Sequence, residues 1–431
     1  MTEVRRFHVK SLARVEGEGS LRVRVVNGAV EIAEFSIYEP PRFFEKLVRG
    51  REIREVPDIV ARICGICPVA YQLTACEALE KALGITVTPD IRRLRRLLYC
   101  GEWIQSHALH VHLLHLPDFM GVESGFALAA THPDLVNRGL RLKAIGSRIM
   151  EVVGGRAVHP VNVTVGGFYR TPAAADLRGL VTDLEWALVA AIDLVAEVSR
   201  FDFPGVARDY DGVCLRPAVG YPVDEGRIVS VSGLDMDAAD YERHFSERQV
   251  PWSTALQSVM LPDEKPYLVG PLARVNLCHD RLPPAARLAA ETTGLEFPLR
   301  LSSQSIVARA VEIVAACEEA LAIARDAMAD ISPCRIEYVP RAGTACHATE
   351  APRGLLWHRY EIGADGLIAG AVIVPPTSQN QGMIEADLKT MLPGVLGLDD
   401  AAATLACERV IRDYDPCISC ATHFLRLNLE R

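Results

Sequence analysis

Hydrophobic and polar residues alternate near the start of the chain, then give way to an apolar recurrence every three or four positions. Leu21-Arg22-Val23-Arg24-Val25-Val26 alternates, Asn27-Gly28 fits a type I′ turn, and Ala29-Val30-Glu31-Ile32-Ala33-Glu34-Phe35 alternates back, which predicts a β-hairpin. From about Val56 to about Arg200 the helical period predicts helices over 70–84, 90–116, 133–154 and 174–200. Residues 201–300 are mixed and rich in Pro, Gly and Asp, with short strands near 227–232. A long amphipathic helix is expected from Ser305 to Ala329. A second hairpin joins Trp357–Ile362 to Leu367–Val374 through Ala364-Asp365-Gly366, and Pro375-Pro376 stops it. A last helix near 399–411 leads into Asp413-Tyr414-Asp415-Pro416-Cys417. The predicted class is α+β, predominantly α: a large helical body with β-hairpins toward both ends. Four stretches, 1–55, 56–200, 201–300 and 301–431, are expected to share one compact body, because no repeat or low-complexity linker separates them.

Composition narrows the function classes. The 431 residues are 49% hydrophobic and 23% charged, ordinary for a globular protein, and the net charge of −9 leaves no basic footprint for nucleic acid. The Arg92–Arg96 run is short enough for a solvated helix face. No stretch of about 18 uncharged apolar residues predicts a membrane span. The first residues lack a signal peptide's apolar region, so a cytoplasmic location is expected; export alongside a partner carrying its own signal is the other route.

Twelve cysteines in a chain of this length argue against a small disulfide scaffold and for metal or redox chemistry. Cys76, Cys100, Cys214, Cys278, Cys317, Cys334, Cys346 and Cys407 have no C-x-x-C partner and are expected to be buried as small hydrophobes. The other four form Cys64-Gly65-Ile66-Cys67, followed by Pro68, and Cys417-Ile418-Ser419-Cys420. Two thiolates three residues apart can grip one soft or borderline ion. A structural zinc site is the bland alternative, yet roughly 350 residues separate the pairs against about 15–20 in a zinc ribbon. A thioredoxin-like pair is a second alternative, and neither pair carries its flanking residues. Spacing alone leaves zinc open.

The flanking residues say more. Arg62-Ile63-Cys64-Gly65-Ile66-Cys67-Pro68 and Asp415-Pro416-Cys417-Ile418-Ser419-Cys420-Ala421-Thr422-His423 resemble the paired signatures of nickel–iron hydrogenase large subunits. Arg14-Val15-Glu16-Gly17, Ser106-His107-Ala108-Leu109-His110, Glu350-Ala351-Pro352-Arg353-Gly354 and the Asn380 neighbourhood resemble the same family, in its order, so that the likeness spans essentially the whole chain.

That resemblance implies a large-subunit-like fold and a set of roles. Cys64, Cys67, Cys417 and Cys420 would bind nickel, and Cys67 and Cys420 would bridge to an iron carrying CO and cyanide. Cys417 would receive the proton from H2, and Glu16 would relay it outward; without the resemblance Glu16 reads as an exposed glutamate beside Glu18. Arg353 would stand over the open metal site with Asp415 beside it, although an ordinary ion pair and an Asp-Pro turn explain those residues too. Respiratory members carry an aspartate where Ser106 stands, so the charge arrangement around Arg353 departs from theirs. Glu45 and His423 match a magnesium site, completed by a backbone carbonyl near Val372 or Ile373. His107, His110, His112 and His115 map to no ligand and read as core or hydrogen-bonding groups.

Glu39-Pro40-Pro41-Arg42-Phe43-Phe44-Glu45 and Gly101-Glu102-Trp103-Ile104-Gln105-Ser106-His107 look most like the cytoplasmic, cofactor-coupled branch, NAD(P)-linked or sulfhydrogenase-like. The chain has no Gly-x-Gly-x-x-Gly fingerprint and no further clustered cysteines for an iron–sulfur relay. An iron–sulfur small subunit is therefore the expected obligate partner, with NAD(P)-reductase and electron-transfer subunits beyond it. NAD(P) is the leading carrier; deazaflavin coupling and an H2-sensing role are the alternatives. A quinone-site relative of this fold in respiratory complexes lacks the four-cysteine set. Many family members are cleaved after the residue equivalent to His423, and Phe424–Arg431 is shorter than the usual removable extension.

Overall fold

The computed structural model describes residues 4–326, 331 and 333–422. Near the N-terminus, β2 (Gly19–Val26) and β3 (Ala29–Ile37) pair antiparallel as the alternation predicts. Asn27 and Gly28 both take positive φ, which the type I′ turn requires. Leu21, Val23, Val25, Ala33, Phe35 and Ile37 point inward. The expected hairpin gains a third strand, β1 (Val4–Val9), on its β2 edge.

The predicted helices form with two departures. Helix α1 (Pro68–Leu83) begins at the proline after Cys67, where a missing N–H costs nothing. Helix α2 (Pro89–Leu109) does not continue evenly to 116. Pro117 cannot supply an N–H to the preceding turn, and His110–His115 widens into a π-type segment before a short helix at Leu116–Phe119. The stretch 174–200 divides at Gly179-Leu180 into Ala174–Arg178 and Val181–Val198. Helix α3 (Pro133–Gly154) crosses α2 through Gly101 and Gly146. A Cβ on Gly146 would lie 2.5 Å from the Gly101 carbonyl oxygen, so only a hydrogen fits there. Behind these lies α4 (Ser305–Arg325), buried on every face from Ser305 to Cys317, Arg309 and Glu312 included, rather than amphipathic; Ala329, its expected end, lies outside the described residues.

The second hairpin is likewise part of a three-stranded sheet. Strand β4 (Gly343–Ala351) pairs with β5 (Gly354–Ile362), which pairs with β6 (Ile368–Val374). The chain gave no warning of β4, since much of this sheet is buried on both faces and does not alternate. Pro375-Pro376 does end β6, and Pro376 also starts a 20-residue helix, α5 (Pro376–Val395), absent from the sequence reading. Thr377, Ser378, Gln379, Asn380 and Gln381 are all buried in its first turns, so it shows no amphipathic period. Helix α6 (Asp400–Asp413) follows and delivers the chain to the second cysteine pair. Of the unpaired cysteines, Cys334 and Cys346 are only half-buried, contrary to expectation; the other six are buried.

Candidate metal centre

Both cysteine pairs lie at helix starts. Cys64 is in extended backbone after a short helical turn, and Cys67 immediately precedes α1. Cys417 immediately precedes the single turn Ile418–Ala421, which carries Cys420. The fold closes the long interval between the pairs, and all four sulfurs lie within 4.8 Å of one another, buried. Cys64 Sγ is 3.5 Å from Cys417 Sγ, and Cys67 Sγ is 3.8 Å from Cys420 Sγ. The N–H groups of Ile66 and Cys67 donate to Cys64 Sγ at 3.3 and 3.2 Å. Burial pushes the Cys417 and Cys420 thiols upward, away from ionisation. As thiolates, the four sulfurs would need a cation among them, and an all-sulfur donor set suits nickel and iron.

Glu16, Arg353 and Asp415 converge on the same place. Glu16 Oε2 is 3.1 Å from Cys417 Sγ and accepts the Ser419 N–H at 3.1 Å, while the Glu16 carbonyl accepts the Ile418 N–H. Gly17 holds φ near +87°, and a Cβ there would lie 2.7 Å from Ile418 Cβ, so the glycine lets the Glu16 strand lie flat on the second pair. Arg353 Nη1 reaches to 4.0 Å from Cys67 Sγ. Burial opposes the charge on Arg353, but the Asp415 carboxylate, and then any thiolate charge on the neighbouring cysteines, outweighs it and holds the guanidinium protonated.

Residues 42–137 and 262–423 match the model of the nickel-dependent hydrogenase family. The chain belongs to that family. Sulfhydrogenase 1 subunit alpha of Pyrococcus furiosus is 32% identical to it over 429 residues, covering 97% of this chain and 98% of the relative. The NAD-reducing hydrogenase HoxS subunit beta of Cupriavidus necator is 28% identical over 473 residues, covering 98% and 95%. The crystal structure of an NAD+-reducing NiFe hydrogenase in the H2-reduced state superposes with a TM-score of 0.88 at 28% identity, covering 97% of this chain and 99% of that one. This is a nickel–iron hydrogenase large subunit, an oxidoreductase, with the α+β, mainly helical fold expected of it.

Several residues that build the four-cysteine centre were not singled out in the sequence. Glu102, wholly buried on α2, accepts the N–H groups of Val69 and Ala70 at 2.6 and 3.1 Å and caps α1 just beyond Cys67. Gln105 Nε2 donates to the Ile66 carbonyl at 3.0 Å. On the other side Thr377 Oγ1 accepts the Cys417 N–H at 3.0 Å. Arg274 is fully buried and forks between two carboxylates, donating to both oxygens of Glu312 at 2.7 Å and to Glu350 at 2.8 Å. The same guanidinium holds the carbonyls of Ala351 and Pro352 at 3.0 and 2.8 Å, which fixes the corner presenting Arg353. Glu102 and Glu350 lie in segments whose likeness to the family was visible; nothing in the sequence marks Arg274, since its partners are 38 and 76 positions away.

The four histidines are buried against protein groups. His107 Nε2 lies 3.0 Å from Glu312, His115 Nε2 lies 2.9 Å from Asp413, His110 Nε2 donates to the Arg412 carbonyl, and His112 Nδ1 donates to the Ala108 carbonyl. Ser106 is buried and its hydroxyl has no hydrogen-bond partner among the described residues, so it is not seen to contribute to the Arg353 charge balance. Glu45 sits in the short helix Phe44–Leu47 and accepts the Ile373 N–H at 2.8 Å, beside the strand expected to complete a magnesium site. His423 lies outside the described residues, as does the tail Phe424–Arg431.

Proposed function

We propose that this chain is the catalytic subunit of an enzyme that oxidises H2 heterolytically and reversibly, with Cys64, Cys67, Cys417 and Cys420 holding nickel and Cys67 and Cys420 also holding iron with CO and cyanide ligands. When bound, the metal pair supplies the site that polarises H2 and takes up its electrons. The chain's own residues handle the proton. Cys417 Sγ accepts it from H2, and Glu16 Oε2, 3.1 Å away, accepts it from the thiol. The Ser419 N–H keeps that carboxylate turned toward the sulfur. Arg353 places a fixed positive charge beside Cys67, and Asp415 holds it there. The observation that carries this reading is the contact of Glu16 with one of four converging sulfurs.

Glu45 and His423 would hold magnesium, with the strand near Ile373 as neighbour. Electrons would leave through an iron–sulfur small subunit toward further electron-transfer subunits and NAD(P). The NAD-reducing names of one relative and of the matched structure favour that carrier over deazaflavin. A cytoplasmic place for the complex agrees with the absence, among the described residues, of any helix long and apolar enough to cross a membrane. Co-expression with an iron–sulfur small subunit and NAD-reductase subunits, followed by assays of H/D exchange and H2-dependent NAD+ reduction, tests the reading. Exchange with NAD+ reduction is expected. Exchange without NAD+ reduction reassigns the carrier; no exchange by the metal-loaded complex overturns the catalytic role.

A further inference from the structure

Each cysteine pair has its own supports; apart from Arg353, which runs from Asp415 to within 4.0 Å of Cys67 Sγ, those named above stay on their own side. Glu102 and Gln105 fix the segment around Cys64 and Cys67. Glu16 and Thr377 fix the segment around Cys417 and Cys420. A nickel–iron centre needs more than two well-formed pairs, because its geometry depends on the distance between them.

Arg42 spans that gap. It stands in the loop before Phe44–Leu47, and its Nη2 donates to the Ile63 carbonyl, next to Cys64, at 2.7 Å. The same nitrogen donates to the Ser419 carbonyl, next to Cys420. Its backbone N–H donates to the Thr422 carbonyl at 2.6 Å. From the same loop Glu39 Oε2 accepts the Ser419 hydroxyl at 2.9 Å. Residues 39–42 thus clasp the second pair, and the Arg42 side chain ties it to the first.

We propose that Arg42 is a positioning residue that sets the separation of the two cysteine pairs and thereby the retention of the metals; this rests on the nickel–iron reading above. The guanidinium suits the task because its charge strengthens both hydrogen bonds and its planar shape fixes the angle between the two carbonyls. Lysine is a shorter point donor without that plane, and glutamine lacks the charge. The Arg42 side chain is about one-third exposed and its Nε lies 4.0 Å from the Glu39 carboxylate, so Arg42→Gln also removes a countercharge from Glu39, which Arg42→Lys keeps.

The test uses the full chain co-expressed with its iron–sulfur partner, as wild type, Arg42→Lys and Arg42→Gln. Nickel and iron per chain, the infrared bands of the diatomic ligands, and amide hydrogen exchange over Cys417–Thr422 are measured. Loss of an outer partner of this kind lowers metal affinity by about 10- to 100-fold. Arg42→Gln is expected to lose nickel on dialysis, to shift the bands of whatever centre remains, and to exchange faster over Cys417–Thr422, with Arg42→Lys intermediate. Wild-type metal content, unshifted bands and unchanged exchange in Arg42→Gln would overturn the proposal. If Arg42→Gln fails to fold, the same three readings on Arg42→Lys decide. A wild-type chain without nickel and iron refutes the underlying reading instead; exchange over Cys417–Thr422 then still separates a clasp (faster in the variants) from no clasp (unchanged).

Discussion

Arg353 meets Asp415 through two hydrogen bonds, Nη2 to Oδ1 at 3.2 Å and Nε to the backbone carbonyl oxygen at 2.8 Å. Asp415 thus supplies the countercharge that Ser106 cannot. Asp415→Asn should leave a buried guanidinium short of its anion and destabilise the chain by about 3–5 kcal/mol. Ser106→Ala should shift stability by no more than about 1 kcal/mol, because the hydroxyl has no partner to lose among the described residues. Thermal unfolding of the two variants checks the contrast; equal losses would move the countercharge away from Asp415.

Glu16→Gln keeps an oxygen that can accept the Ser419 N–H but removes the basicity that, in the proposed relay, would draw a proton from Cys417. Metal content and fold should survive, while H/D exchange and turnover fall by about 10²–10⁴-fold. Isotope-exchange mass spectrometry alongside metal analysis makes the measurement. Unchanged exchange in a metal-replete variant removes Glu16 from the proton path.

These variants show how far the sequence could be read. Each cysteine pair was visible because its ligands sit three residues apart, and Glu16, Arg353 and Asp415 stood in segments with a family likeness. The convergence of the pairs was not visible, because it depends on packing across most of the chain. Strand periods revealed β2, β3, β5 and β6, which have hairpin turns to mark them. They missed β4 and α5, whose buried residues follow no amphipathic rhythm. Supports such as Arg274 and Thr377 are defined by partners far away in sequence, so nothing local distinguishes them from ordinary core polar residues.

Arg274 shows what such a support contributes. Burial opposes ionisation of Glu312, yet the charge and hydrogen bonds of Arg274 bring its carboxyl down to about 2. For Glu350 burial prevails over the same arginine and raises it to about 7. Arg274→Met should leave the buried Glu312 carboxylate without its guanidinium, with Tyr221 and His107 as remaining partners, and release the carbonyls before Arg353. A loss of about 3–5 kcal/mol in unfolding free energy is expected, with reduced turnover in the fraction that stays folded. Denaturant titration and activity per nickel atom together check it; a stable variant with full activity per nickel would show that the corner holds itself.

Acid should weaken the fold through its buried imidazoles. Burial, reinforced by Arg138, lowers His112 to about 4, with the hydrogen bond to Ala108 only partly offsetting it. His107 and His110 are lowered as well, again first by burial. The unfolded chain takes up protons at these histidines near pH 6.5 while the folded chain does not, so stability falls as pH drops from about 6.5 to about 4. His112 alone accounts for about 2 kcal/mol between pH 7 and pH 5. Thermal midpoints across that range should fall less steeply for His112→Gln than for wild type; parallel curves would contradict the assignment.

The four converging cysteines are proposed to hold nickel and iron. Anomalous diffraction from crystals of the purified complex, recorded at the nickel, iron and zinc absorption edges, addresses this directly. One nickel peak among Cys64, Cys67, Cys417 and Cys420, with one iron peak of equal occupancy on the Cys67 and Cys420 side, is the predicted result. A lone zinc peak at the centre of the four sulfurs would contradict it.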